Sequence, residues 1–209
     1  MTEKWIGWGR RLAALAQNGL AYGQNPFDIE RYQALRGIAA EILAEGSTLP
    51  AGQVESFLSL EAGYATPKID VRGAAFRDHN ILLVRETLDG GRWTLPGGWM
   101  DVGDTPGGAA AREFREETGY EVRPARLAAV YDRDTHGHPP MGFAVIKLFF
   151  ICEIVGGSPA ASSETGESAY FTEAALPELS LSRVNPGEIA MLFRHHRQPD
   201  LPTEFDGSW

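Results

Sequence analysis

Apolar residues recur at helical spacing near the start of the chain, three or four positions apart. The positions that share this spacing are Trp5, Trp8, Leu12 and Leu15. The pattern breaks where glycine, asparagine and proline cluster between residues 19 and 26. This spacing and this break predict one amphipathic helix.

A second helix is predicted after the break. Asp28 is the expected N-cap, and Gly46 marks the end. The apolar positions along it include Tyr32, Leu35, Ala39 and Ile42. Because two amphipathic helices cannot enclose a core, they must pack on the rest of the chain or on a second subunit. We therefore expect a helical N-terminal domain and linker at 1–65, with a short helical piece inside 47–63.

Short apolar runs separated by turns dominate the remainder of the chain, the second expected domain at 66–209. The runs that predict strands are 69–76, 81–85, 127–131, 144–154 and 169–172. Two further helices are expected, one after Thr105 and one over 186–196. This order predicts an α/β/α sandwich with a mixed sheet.

Acidic residues are concentrated in the stretch GWMDVGDTPGGAAAREFREETGY, residues 98–120. Thr105 and Pro106 are typical of a helix N-terminus, and Gly119 of the position just past a C-terminus. On such a helix Glu113, Glu116 and Glu117 share one face, where like charges repel by about 0.2–0.5 kcal/mol per pair. The last two also lie in the final turn, where the helix dipole disfavours anions.

A bound cation would compensate for both unfavourable features at once. Since the donors are all oxygens, with no histidine or cysteine, the stretch favours a hard cation, Mg²⁺ or Mn²⁺, over zinc. The alternative is a solvated acidic helix face. Phe114 falls on another face and is expected in the core.

This stretch resembles the signature of the Nudix hydrolases, in which a glycine, an acidic residue and an Arg-Glu-x-x-Glu-Glu segment follow at fixed spacing. The resemblance implies a Nudix-type fold and a catalytic set of Arg112, Glu113, Glu116 and Glu117. Gly98, through its carbonyl, and the three glutamates are the implied metal ligands. Arg112 would hold the carboxylates or pair with Glu116 at i, i+4, and both roles are compatible.

One position departs from the family signature. Asp104 stands where the family usually has glutamate, so we expect it to anchor the loop rather than to reach a metal. Related enzymes often supply a further glutamate as base from a later loop. Here Glu164 or Glu167 is that candidate beside Glu113, with solvated loop residues as the alternative.

The resemblance extends to segments outside the signature. They are 27–31, 63–68, 70–73, 95–98 and 176–181. Together they resemble a bacterial two-domain subset with a helical N-terminal extension. That likeness implies pyrophosphatase activity on CDP-choline or ADP-ribose, giving a nucleoside monophosphate and phospho-X, and a homodimer through the N-terminal helices. Arg72 and Arg85 are candidate substrate-binding residues, with surface ion pairs as the alternative.

Two other functions stay open at this point. One is a nucleotide-pool enzyme that hydrolyses oxidised nucleoside triphosphates, and the other is a regulatory module that binds nucleotide without turnover.

His136 and His138 could bind metal, but without a third ligand we interpret their loop as a flexible, substrate-side one.

Composition and charge limit which binding partners and which cellular compartment we expect. The net charge of −9 argues against non-specific binding to nucleic acid or to anionic membranes. Cys152 is the one cysteine, in an apolar run where we expect it to pack, which favours a reducing compartment. No apolar run is long enough to span a bilayer and the N-terminus lacks a secretory pattern, so we expect a cytoplasmic protein.

Overall fold

The computed structural model of the chain describes residues 4–46, 48–160 and 165–207. Its contacts form two compact units. One lies within Met1–Pro67 and includes Pro140–Ala144, and the other comprises Lys68–Pro139 and Val145–Trp209. Among the described residues, no helix has the length and apolar character needed to cross a membrane.

The described residues of the N-terminal unit form three helices, α1 (Lys4–Tyr22), α2 (Pro26–Ala44) and α3 (Ala51–Ser59). The predicted cap at Asp28 is wrong. Asn25 is the N-cap of α2, its side chain accepts from the Phe27 N–H, and Pro26 occupies the first turn. A proline is tolerated there because its missing N–H has no intrahelical partner in any case.

Close packing between α1 and α2 depends on a small residue at Gly19. A Cβ added there would lie 2.4 Å from the ring of Tyr32. Because real Cβ atoms never come that close to a ring carbon, the aromatic side chain fits against α1 only with glycine at this position.

The second unit is built on a seven-stranded sheet. Its strands are β1 (Lys68–Arg77), β2 (Asn80–Glu86), β3 (Trp93–Thr94), β4 (Tyr120–Asp132), β5 (Val145–Gly157), β6 (Thr165–Phe171) and β7 (Glu204–Phe205). The order is β3-β2-β1-β5-β4-β7, with β6 also paired to β2. β1 pairs parallel to β5, whereas β4 and β5 are antiparallel. The predicted mixed sheet is confirmed.

Two helices cover the two faces of this sheet, α4 (Pro106–Thr118) and α5 (Pro186–Arg197). Phe114 of α4 is fully buried with Val71 and Ala75 of β1. Leu192 of α5 packs in a second cluster with Ala74. Because neighbouring strand residues point to opposite faces, β1 supplies both cores, and the α/β/α sandwich is confirmed.

A buried ionic network ties α5 to the sheet. Glu188 accepts from Lys147 of β5 at 3.1 Å, and its other oxygen lies 2.8 Å from Nε2 of His138. Burial by itself would raise the pKa of Glu188, but the His138 hydrogen bond and the Lys147 charge lower it below its ordinary value. The same carboxylate completes a capping box with Asn185 at the start of α5. His138 is therefore buried and hydrogen-bonded inside the domain, and the interpretation of its loop as flexible and substrate-side stays a prediction.

Candidate active site

Helix α4 begins and ends where its sequence signals indicate. Thr105 is the N-cap and its hydroxyl accepts from the Gly108 N–H at 3.2 Å, with Pro106 in the first turn. Gly119 ends the helix with φ 76°, a left-handed conformation that favours glycine. The acidic positions consequently occupy the last two turns of the helix.

Arg112 is the hub of the acidic face. Its guanidinium donates to Glu113 at 2.8 Å, to Glu116 at 3.2 Å and to Asp104 at 3.0 Å. The hydrogen bond to Asp104 raises the pKa of Arg112 further above its already high value. The shorter Asp104 side chain thus reaches the guanidinium from the loop before α4, and the i, i+4 pair with Glu116 forms as well.

Glu117 points away from this hub into the domain. Its side chain is only 8% exposed, and one carboxylate oxygen accepts from the Gly97 N–H at 3.0 Å. Burial raises the pKa of Glu117 to about 7, although the charge of Arg72 and the Gly97 hydrogen bond both oppose this rise. Negative charge at this position is therefore costly unless a cation accompanies it.

The turn Leu95–Gly98 holds Glu117 because it is itself fixed to β1. The Gly73 N–H donates to the Pro96 carbonyl and the Val71 N–H to the Gly98 carbonyl, both at 2.9 Å. Gly97 adopts φ 141°, and a Cβ there would lie 2.0 Å from the Val71 oxygen. Glycine is required because any side chain would overlap the backbone of β1.

Glu113 lies directly against Gly98. A Cβ added to Gly98 would be 3.0 Å from a carboxylate oxygen of Glu113, a tight contact that this flexible side chain would have to relieve by moving. Burial raises the pKa of Glu113, against the opposing effect of the Arg112 hydrogen bond and charge. The peptide at Gly98 and two carboxylates, those of Glu113 and Glu117, thus border one small region beside the turn.

The donors in this region suit a hard divalent cation in their chemistry. They are carboxylate oxygens and the Gly98 carbonyl, which keeps a second lone pair beside its hydrogen bond from the Val71 N–H, and such oxygens are the ligands that Mg²⁺ and Mn²⁺ prefer. Within the described part of the chain, no three His, Cys, Asp or Glu side chains converge as a preformed metal cluster. Glu113 and Glu116 point instead to Arg112, so a cation would require these two side chains to exchange that partner.

The two arginines predicted to bind substrate lie in different environments. Arg72 is buried in β1 and grips Asp70 with two hydrogen bonds of 2.9 and 2.6 Å. The side chain of Arg85 is 52% exposed at the end of β2, where it donates to the Gly91 carbonyl at 3.1 Å. Substrate contact remains a prediction for both, and exposure alone favours Arg85.

The later loop that was expected to supply a base is described only in part. Glu164 lies outside the described residues. Glu167 is exposed in β6, and its carboxylate is 3.8 Å from the guanidinium of Arg85. The choice among Glu113, Glu164 and Glu167 therefore stays a prediction.

Two buried carboxylates near the site were not identified from the sequence. Glu86 ends β2, lies 3.1 Å from Nε of Arg183, and contributes to the raised pKa of Glu117. Asp70 pairs with Arg72 inside the sheet. A sequence signal could have identified both carboxylates, because each is an acidic residue within or just after an apolar strand run. Such residues are seldom buried without a partner.

Comparison with known proteins gives a family match for each of two segments of the chain. Residues 67–193 match the family model described as the NUDIX domain. Residues 3–58 match a model described as a UDP-X-like, N-terminal oligomerisation domain. The second match covers most of the segment in which the sequence predicted a helical extension.

Individual relatives align over most of the chain. A candidate ADP-ribose pyrophosphatase of Bacillus subtilis, YjhB, is 41% identical over 97% of both chains. A crystal structure of a UDP-X diphosphatase is 31% identical with TM-score 0.63, covering 98% of this chain and 99% of that one. An ADP-ribose pyrophosphatase structure from Streptococcus suis is 35% identical with TM-score 0.62, covering 68% of this chain and all of that one. A domain match of this extent, joined to a relative that aligns along nearly the whole length, means that the chain belongs to the Nudix family and is a pyrophosphohydrolase.

Proposed function

We propose that this enzyme hydrolyses the pyrophosphate bond of a nucleoside diphosphate linked to another group, with ADP-ribose as the preferred type of substrate and Mg²⁺ or Mn²⁺ as cofactor. The observation that carries the proposal is the placement of Glu117, which is buried, bonded to the Gly97 N–H and next to Glu113. The names of the relatives from Bacillus subtilis and Streptococcus suis support the ADP-ribose assignment.

The acidic face of α4 would hold the cation. Glu116 and Glu117, with the carbonyl of Gly98, are the proposed principal ligands, and Glu113 is either a further ligand or the base. When bound, the cation would neutralise the diphosphate and lower the pKa of a water molecule. Arg112 would stay beside these carboxylates through its hydrogen bond to Asp104 when Glu113 and Glu116 turn towards the cation.

The chain must also remove a proton from the attacking water. Glu113 is suited to this because burial already raises its pKa, which makes it a better proton acceptor than an exposed glutamate. Glu164 and Glu167 are the alternatives. Comparing kcat for three glutamine variants, one at each position, would identify the base as the residue whose loss lowers kcat most at unchanged KM.

Arg85 is the proposed contact for the substrate phosphates. Its exposed guanidinium could pair with phosphate oxygens in the bidentate way that favours arginine over lysine. An Arg85→Lys variant should therefore raise KM for a nucleoside diphosphate substrate more than it lowers kcat.

A second candidate substrate class is supported by a specific observation. The UDP-X diphosphatase aligns along nearly the full length of both chains, and the N-terminal match is described as UDP-X-like. UDP-linked sugars therefore belong in the same test as ADP-ribose and CDP-choline.

The test is a product assay with Mg²⁺ or Mn²⁺ over ADP-ribose, CDP-choline, UDP-sugars and oxidised dGTP. We expect AMP and ribose 5-phosphate from ADP-ribose at the highest kcat/KM, and turnover lower by a factor of about 100 or more in the Glu117→Gln variant. Turnover of oxidised dGTP alone would overturn the proposal in favour of a nucleotide-pool enzyme. Silence over the whole panel would favour the non-catalytic module.

The N-terminal helices are proposed to form a homodimer. Trp8, Leu15 and Tyr22 recur every seventh residue on α1 and are 57%, 59% and 68% exposed. Exposure of such an apolar stripe to water is unfavourable in free energy. A self-complementary stripe is suited to a two-fold interface. The description of the matched domain as an oligomerisation domain supports this assignment.

A further inference from the structure

Four charged side chains form a buried row on the α5 face of the sheet. From α5 inward they are Glu188, Lys147, Asp70 and Arg72, and each is at most 6% exposed. Asp70 of β1 and Lys147 of β5 are register partners on adjacent parallel strands. The signs alternate along the row, which is how buried charge is tolerated, since each ion has an opposite charge beside it.

The row ends at the turn that carries the active-site peptide. Besides gripping Asp70 with Nε and Nη2, Arg72 donates from Nη1 to the Leu95 carbonyl at 3.2 Å. The backbone of the residues on either side of Arg72 binds the next part of the same turn, Val71 to Gly98 and Gly73 to Pro96. One strand thus binds three of the four carbonyls of Leu95–Gly98, and the Gly97 N–H in that turn binds Glu117.

We propose that Asp70 and Arg72 are positioning residues that hold the Leu95–Gly98 turn, and through the Gly97 N–H the carboxylate of Glu117, in the geometry the reaction needs. Arg72 works from inside the sheet, without touching substrate. A phosphate contact would require this guanidinium to leave Asp70. The buried Asp70 carboxylate would then lose both hydrogen bonds from Arg72.

The planar fork of arginine is essential to this role. One group must bind both oxygens of Asp70 and also reach the Leu95 carbonyl, whereas the ammonium of lysine is a single point charge. Arg72→Lys therefore keeps the charge and removes the fork. Asp70→Asn removes the charge of the partner while keeping its shape.

The first measurement is amide hydrogen exchange on the metal-free protein, which needs no substrate. In Arg72→Lys and in Asp70→Asn, the amides of Val71, Gly73 and Gly97, which donate the hydrogen bonds of this turn, should exchange at least about tenfold faster than in the wild type. The matched control is Arg123→Lys, which alters an exposed ion pair with Glu153 between β4 and β5 and should leave this turn unchanged. Should Arg72→Lys fail to fold, Asp70→Asn carries the same test.

The second measurement is steady-state kinetics, and only this part rests on the proposed function. We expect kcat to fall about 10- to 100-fold in both variants with KM within about threefold, because a small displacement of a catalytic group acts on the chemical step. Unchanged exchange at the turn in both variants, or a raised KM at constant kcat for Arg72→Lys, would overturn the proposal. If the wild type turns over no substrate, the proposed function fails while the exchange result still decides whether Asp70 and Arg72 hold the turn.

Discussion

Replacing Gly97 with alanine tests whether close backbone packing, rather than backbone conformation alone, builds the active-site turn. The φ of 141° costs a residue with a Cβ about 1–3 kcal/mol. The new Cβ would also lie 2.0 Å from the Val71 oxygen and 2.9 Å from the Arg72 Cα, so β1 and the turn would have to separate. Overpacking of this kind adds about 1–3 kcal/mol, for a total of about 2–6 kcal/mol.

A matched control isolates the contribution of the overlap. Gly103 also has a positive φ, 99°, but no heavy atom lies within 4 Å of its added Cβ. Gly103→Ala should therefore lose the conformational part alone. The assay is urea unfolding of both variants, followed by circular dichroism and tryptophan fluorescence. The free energies of unfolding are compared when both variants show the same slope of free energy against urea concentration. Equal losses in the two variants would refute the reasoning, because the approach of Gly97 to β1 would then contribute nothing.

Three further predictions follow from other parts of the chain. Glu117→Gln should lower turnover by a factor of about 100 or more while keeping the melting temperature at or above the wild-type value, because the neutral amide avoids burial of charge; wild-type turnover would remove Glu117 from the mechanism. Glu188→Gln should lower the free energy of unfolding at pH 7 by about 3–5 kcal/mol, since Lys147 would stay buried without its partner. The pKa of Glu188 is lowered in the folded state, so its stabilisation is complete above the ordinary value of 4.5 and is lost as pH falls through the folded value; a difference between wild type and variant that persists in acid would contradict this assignment. Leu15→Glu should convert the dimer to monomer in sedimentation at micromolar concentration, whereas a wild type that is already monomeric would disprove the dimer.

Local signals in the sequence were sufficient wherever the structure is decided by neighbouring residues. Thr105, Pro106 and Gly119 set the limits of α4 because capping and left-handed conformations depend on the residue itself. Phe114 is buried as its position on the helix indicates. The predicted N-cap of α2 was wrong because Asn and Asp are both favoured N-cap residues. Only the backbone geometry before the helix shows that Asn25, and not Asp28, is the N-cap.

Strand boundaries were less accessible. The pattern predicted a strand over 127–131, but β4 begins at Tyr120, directly after the helix, and continues through Pro124. The first half of β4 alternates buried and exposed residues up to Pro124, and its pairing with β5 contains register shifts that local propensity does not reveal. The two-residue strands β3 and β7 exist only through their partners.

The sequence by itself determined the acidic helix, its limits, its oxygen-only set of donor side chains and the family to which the chain belongs. These follow from the identity and spacing of residues along one short segment, where interactions are local. Only the tertiary structure decided that Glu117 is buried against Gly97 while Arg112 gathers Glu113, Glu116 and Asp104, and that Arg72 faces Asp70 inside the sheet. The physical reason is that burial and charge pairing depend on which strands and turns come together across long stretches of chain.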